Sequence, residues 1–385
     1  MRIDERLIRL CTKLNTCPET TENPQEIINS DLSWAYFFKR ARAEGLISLV
    51  YSNLSRVDGA KSIVPEDIWA ELESSYYTIA SRNSLLCEKL NTILSSFNQI
   101  GIEVILLKGI ALIHTIYPDI ALRPMYDIDI LIHKEDFSLV ETKLKELGYN
   151  NSSFYPEDFH KDNMMVDVHW QLMNVTRVKS RSKSYCIDLD EIWKGSIPIE
   201  ISGEKARVLS PEYCLMDLCL HLTFHHGLRG LIWFIDIAKV IEYYKNEINW
   251  DRFIKKSLEY KIYKPIYYTL YYAKEILKQQ IPQIVLDRLK PKSGTFLERK
   301  IFDLVVSGAS LENIRFFFTL SNMNSFRDRF DFLREITLPS PRVLQAKYNI
   351  SSAKYIPRCY LIHFKSGMSS ILKLLQKLSF SPQVK

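Results

Sequence analysis

The run Asp127-Ile128-Asp129-Ile130-Leu131-Ile132 sets two carboxylates two residues apart among β-forming side chains. A strand repeats every two residues, so Asp127 and Asp129 leave the same face. Two like charges side by side in an apolar strand are costly unless a cation lies between them. A divalent metal with oxygen ligands meets that need, and the strand is a candidate metal platform.

The neighbouring segments supply a small α/β unit around it. Residues 102–107 read as a short strand and 109–116 as a helix, which Tyr117-Pro118-Asp119 breaks. Arg123-Pro124 leads into the acidic strand. Residues 135–147 form an amphipathic helix that Gly148 ends, and 164–170 read as a third strand. Strand–helix–strand–helix–strand within about 70 residues implies a sheet that is at least partly mixed. Residues 1–100 read as helical, with Pro65 opening and Gly101 closing the longest segment. From about residue 190 the helical pattern returns, at 211–226, 233–245, 250–260, 265–278 and 296–306. The fold class expected is α+β. A small mixed-sheet core at 101–188 is flanked by an N-terminal helical region (1–100), a larger C-terminal helical domain (189–335) and a basic tail (336–385).

With 25% charged residues and a net charge of +6, the chain favours anionic ligands without approaching a nucleic-acid coat. Its seven cysteines are scattered with no CxxC pair, which argues against a disulfide framework. No apolar run approaches the roughly 18 to 20 residues of a membrane span, and no signal core opens the chain. A cytoplasmic setting is expected.

Leu107-Lys108-Gly109, followed by Tyr117-Pro-Asp-Ile-Ala-Leu-Arg-Pro-Met-Tyr-Asp-Ile-Asp-Ile-Leu-Ile132, resembles a poorly characterised nucleotidyltransferase family of the DNA polymerase β-like superfamily. That superfamily carries a glycine-containing turn, Asp-x-Asp on a strand and a third carboxylate on a neighbouring strand. Asp167, between Val166 and Val168, takes the third place. The resemblance is strong over 102–170 and looser over the helical flanks. It implies transfer of a nucleoside monophosphate, foremost AMP from ATP, with pyrophosphate released. Two Mg²⁺ ions (or Mn²⁺) would be held by Asp127, Asp129 and Asp167. The Lys108-Gly109 turn would let backbone approach the triphosphate at a helix start. The superfamily usually has Gly-Ser at that turn, so Lys108 either contacts phosphate or pairs with an acid.

Arg123 is a candidate for orienting the triphosphate or the acidic strand, against bonding loop carbonyls or pairing with Asp119. His169, two residues after Asp167, shares its face as a partner, an accessory ligand or a plain strand histidine. His221 and His225 share a helix face, but the glutamate of an HExxH zinc site is missing, since Thr223 and Phe224 follow Leu222. His225, Arg229 and Asp236 are candidates to face nucleotide or acceptor from the helical domain. The acceptor expected is a hydroxyl of a protein, peptide or small molecule, with RNA ranked lower. The contrasting reading is a nucleotide-binding or antitoxin-like module without turnover. In the tail, Ile371, Leu372, Leu374, Leu375 and Leu378 form a short apolar stripe, expected to dock on the helical domain. Neutralising either Asp127 or Asp129 is expected to relieve repulsion.

Overall fold

The computed structural model describes residues 6–8, 11–12, 28, 32–151, 155–173, 178–291, 300–301, 304, 314–323, 325–350 and 352–380. Three helices, α1 (Trp34–Ala43), α2 (Ile47–Leu54) and the single-turn α3 (Ala60–Ile63), lead to the long α4 (Glu66–Asn98). Pro65 stands just before α4, and Glu66 and Asp67 occupy its first turn, where acids suit the helix dipole. Gly101, at φ +74°, turns the chain out of it.

The strands are β1 (Ile105–Leu106), β2 (Asp127–Leu131), β3 (Asn150–Asn151), β4 (Asp158–Lys161), β5 (Met164–His169), β6 (Ile197–Ile201) and β7 (Glu204–Val208). They form one mixed sheet in the order β3-β4-β5-β2-β1-β7-β6. Helix α5 (Lys108–Thr115) follows β1, α6 (Phe137–Glu146) follows β2, and α7 (Leu189–Gly195) precedes β6. The protein is α+β, with a mixed sheet and helices around it, as the pattern predicts.

One expectation is corrected. Residues after 190 are not helical throughout, because β6 and β7 form a hairpin that joins the sheet through β7, parallel to β1. Ile197, Ile199 and Ile201 alternate as a strand should, but Pro198 disguises the pattern. The proline is tolerated because β6 is an edge strand, paired only with β7. Ser202 and Gly203, both at positive φ, make the two-residue turn. The short β3 and β4 were likewise absent from the sequence reading.

Helices α8 (Pro211–Phe224), α9 (Leu231–Tyr243), α10 (Trp250–Glu259), α11 (Tyr263–Leu277) and α12 (Gln283–Leu289) follow. Then come α13 (Ile314–Asn322), α14 (Phe326–Thr337), α15 (Pro341–Tyr348) and α16 (Ile356–Phe380). Of the helix expected at 296–306, only 300, 301 and 304 lie among the described residues. The side chains of Ile371, Leu374, Leu375 and Leu378 lie outside them too.

A small sheet cannot bury both faces by itself. One face, with Leu106, Ile128, Ile130, Val166 and Val168, packs on Leu86, Leu90, Ile93 and Phe97 of α4 and on Val140 and Leu144 of α6. Ile105, Leu107 and Leu131 join a second core, built from α1, α2 and α8 to α12. The acidic side chains stand on this second face.

Candidate active site

Strands β2 and β5 run parallel, with Asp129 opposite Asp167 and Leu131 opposite His169. Opposed residues of neighbouring strands leave the same face, so Asp127, Asp129, Asp167 and His169 share it. Their alternates fill the core beneath.

Strand β1 delivers the lysine. It is antiparallel to β2, and one step past Leu106 the Leu107 N–H donates to the Asp129 carbonyl at 3.1 Å. Lys108 then turns at φ +50°, a left-handed conformation that costs a residue with a Cβ about 1–2 kcal/mol. The turn aims its ammonium at Asp129 Oδ1, to which it donates at 2.6 Å. Lys108 is buried. Of its two sequence alternatives, the acid pair is the one formed.

His169 Nε2 lies 3.0 Å from Asp129 Oδ1 and 3.3 Å from Asp167 Oδ2. Burial opposes a charge there, yet the flanking carboxylates, Asp167 foremost, raise its pKa to about 9. It is therefore an imidazolium at neutral pH, its Nε2–H shared between two acids. Burial pushes Asp129 up, but Lys108 and His169 overcome it and hold its carboxyl well below the usual range. Asp167 follows the same pattern, with His169 outweighing burial. Asp127 goes the other way: burial and the charge of Asp129 raise it to about 7 against the pull of Lys108. The cluster is short of positive charge at Asp127.

Asp217 on α8 completes the cluster and was missed from the sequence. It is 1% exposed, and its Oδ1 has no hydrogen-bond partner. Burial raises its pKa to about 6, moderated by Lys108 and His169. The available signal was an acid inside the apolar run Cys214-Leu-Met-Asp-Leu-Cys219, since carboxylates are seldom fully buried without a task or a partner.

A divalent cation fits this donor set. Asp129, Asp167 and His169 offer ligand atoms within 4.8 Å of one another, and Asp167 Oδ1 is buried without a hydrogen-bond partner. Carboxylate oxygens suit Mg²⁺ or Mn²⁺, and the imidazole nitrogen adds a ligand of the kind softer divalent metals take. His169, for which an accessory ligand is one of the expected roles, thus joins this set, and Asp127 stands two residues from Asp129 on the same face.

The remaining candidates are placed differently. The space a side chain at Gly109 would need is taken by Met125 Cγ and Sδ, each 3.1 Å from an added Cβ, with Arg123 Nη1 at 3.5 Å. Close packing against Met125, in addition to any approach of phosphate, therefore favours the glycine. Gly109→Ala is expected to cost about 1–2 kcal/mol, the usual price of overpacking, and Met125→Ala in the same chain to recover part of it in a thermal melt.

Arg123 pairs with Asp236, not Asp119: Nη2 lies 2.8 Å from Asp236 Oδ2, and Nε donates to both carboxylate oxygens at 2.9 and 3.0 Å. Tyr117 donates to Asp236 Oδ1 at 2.7 Å. Asp236 is completely buried and fully engaged, so it faces Arg123 rather than a cleft. Asn83 of α4 donates to the carbonyls of Ile120 and Arg123, fixing the same loop. Arg123 also lies over Trp233, whose ring stacks on His226; His226 in turn meets His221, whose ring stacks on His225. Burial first, and then the charge of Lys108, hold His225 and His221 neutral. Arg229 is exposed on the turn before α9.

A family model described as uncharacterised nucleotidyltransferase matches residues 30–278, a span holding every site residue named above. The chain belongs to that family. No curated protein and no solved structure matches it. For this nucleotidyltransferase the matched span runs from the N-terminal helices through the sheet to the end of α11.

The raised pKa of His169 has a pH signature in metal-free protein. A group whose folded pKa exceeds its unfolded value of 6.5 stabilises fully below 6.5 and loses that contribution as pH rises through about 9. Denaturant unfolding in chelator should therefore show a loss of a few kcal/mol between pH 6.5 and 10. His169→Gln should flatten that slope; an equal slope in the variant would contradict the assignment.

Proposed function

We propose that this nucleotidyltransferase is metal-dependent and moves a nucleoside monophosphate, foremost AMP from ATP, to a hydroxyl of a protein, peptide or small-molecule acceptor. The observation that carries this reading is the convergence of Asp129, Asp167 and His169 on one sheet face, with Asp127 beside them. A bound divalent cation would neutralise the triphosphate and favour ionisation of the attacking hydroxyl. Asp127, Asp129, Asp167 and His169 are the residues to hold it, as one ion or two.

The protein's own groups do the positioning. Asp167, with one oxygen free, takes the side nearest the acceptor and accepts a hydrogen bond from its hydroxyl. His169 would hold a cation only as the neutral imidazole, through the lone pair of its Nε2. Lys108, paired with Asp129, is the cation placed to meet phosphate oxygen, the contact that the superfamily's serine supplies. Helix α5 begins at Lys108 with Leu107 at its N-cap and no side-chain cap, so its first N–H groups suit an anion. Trp233 itself is not free to stack on a base, since His226 and Arg123 lie against its ring. A protein, peptide or small-molecule acceptor is ranked above RNA.

The test is incubation with α-labelled ATP and Mg²⁺ or Mn²⁺. Transfer of label with release of pyrophosphate supports the enzyme; metal-dependent binding without turnover supports the sensor-like module. Asp167→Ala should lower the rate far more than ATP affinity. If affinity falls as steeply as rate, Asp167 does not act on the acceptor side.

A further inference from the structure

Beyond the matched span, two helices carry apolar side chains on the faces turned away from the protein. On α14, Asp328 and Asp331 pair with Lys183 at 3.4 and 2.9 Å, and Glu335 accepts from the N–H groups of Lys179 and Ser180. Phe332 on the same side is fully buried. At 100° per residue, the opposite face presents Phe326, Phe330 and Leu333, which are 85%, 57% and 43% exposed. Exposed Arg327 and Arg334 border them. The acids of α14 bond toward the protein, Asp331 also pairing with Arg334 at 3.8 Å, and the outward face is aromatic and cationic.

Helix α16 repeats the arrangement. It rests on the end of α14 through Tyr360, which donates to the Pro339 carbonyl, and His363, which bonds the Ile336 carbonyl. Cys359 and Ser370 are buried on that side. Leu361, Phe364, Met368 and Leu372 recur at three- and four-residue steps on the outer side, between 43% and 65% exposed. Arg358, Lys365 and Lys373 border this stripe, and no acidic residue follows Glu335 anywhere in the sequence.

We infer that α14 and α16 form a docking surface for an anionic lipid bilayer. Apolar side chains at the centre of a basic face suit the headgroup boundary, where the rings enter the acyl edge and the cations meet lipid phosphates. Charge complementarity argues for this occupant: the bases flanking both stripes call for an anionic surface, and zwitterionic lipid would leave them unused. No helix among the described residues is long and apolar enough to cross a membrane, so the contact is peripheral.

The test is co-sedimentation of the full chain with phosphatidylcholine vesicles containing about one-third phosphatidylglycerol, against pure phosphatidylcholine. Partition to the anionic vesicles, weakened by salt, is expected. Neutralising Arg334, Lys365 and Lys373 to Gln should reduce it by the order of a hundredfold. Phe330→Asp with Phe364→Asp should abolish it while circular dichroism and melting stay those of the parent. Four outcomes would overturn the inference. One is no partition at millimolar lipid, and another is equal partition to both vesicle types. A third is a dimer by light scattering that the Phe→Asp pair converts to monomer. The last is tighter binding to an RNA homopolymer than to anionic vesicles. The vesicle comparison uses the parent chain, so the result stands even if a variant fails to fold.

Discussion

Asp129→Asn should reduce nucleotidyl transfer by about a thousandfold or more and should also lower the melting temperature, whereas Asp127→Asn should reduce transfer without that loss. On the proposed metal-dependent reaction, loss of a carboxylate that would hold the cation removes several kcal/mol of transition-state stabilisation, and each 1.36 kcal/mol is a factor of ten. The stability difference comes from the counter-ions. Asp129 accepts from Lys108 at 2.6 Å and from His169 at 3.0 Å, and both cations are buried. Removing its charge strands Lys108 and leaves His169 with Asp167 alone, a change that costs on the order of 3 kcal/mol when one partner of a buried pair is lost. Asp127 has the opposite electrostatics, since burial and Asp129 raise it to about 7. Its neutral replacement relieves repulsion, so its melting temperature should hold or rise. The expectation of relief at both positions is thus kept for one and revised for the other. Full transfer in either variant with a genuine acceptor, or a lower melting temperature in Asp127→Asn than in Asp129→Asn, would discard this account.

Arg123→Ala or Asp236→Ala should destabilise the fold by about 3–5 kcal/mol, because each leaves a charge buried without its partner. The pair is 4% and 0% exposed at 2.8 Å, and Tyr117 and Trp233 depend on the same groups. Replacing both at once, Arg123→Met with Asp236→Leu, should recover much of the loss, as removing a whole buried pair usually costs less than breaking it. Denaturant titration of the three variants measures this. An Arg123→Ala chain that melts like the parent but binds ATP far more weakly would return Arg123 to the triphosphate.

The acids on β2 and β5 were legible because two periodicities suffice: Asp-x-Asp fixes a strand face, and Val166-Asp167-Val168 marks a second strand with an acid on it. That Asp129 stands directly opposite Asp167 was not legible, since register is a property of two strands together. Lys108 was legible as a candidate, but its partner depends on a left-handed turn that a sequence pattern does not reveal for lysine. Asp217 was out of reach for a related reason. The cations that act on it, Lys108 at the start of α5 and His169 on β5, come from earlier in the chain, and only the packing of α8 brings them together. The β6–β7 hairpin was hidden by a proline that an edge strand can carry.

The parallel register of β2 and β5 also separates the parts of this chain that can change length from those that cannot. Helix α6 and the β3–β4 pair lie between the two strands, so residues added or removed in their connecting turns leave Asp129 opposite Asp167, because backbone pairing rather than chain distance sets that alignment. A single deletion inside β5 has the reverse effect. Loss of Val166 would turn Asp167 and His169 toward α4 and α6 and present Val168 to the cation site. Insertions and grafted segments therefore belong at the turns of 147–149 and 162–163, and the strands themselves tolerate substitution only, never a change of count.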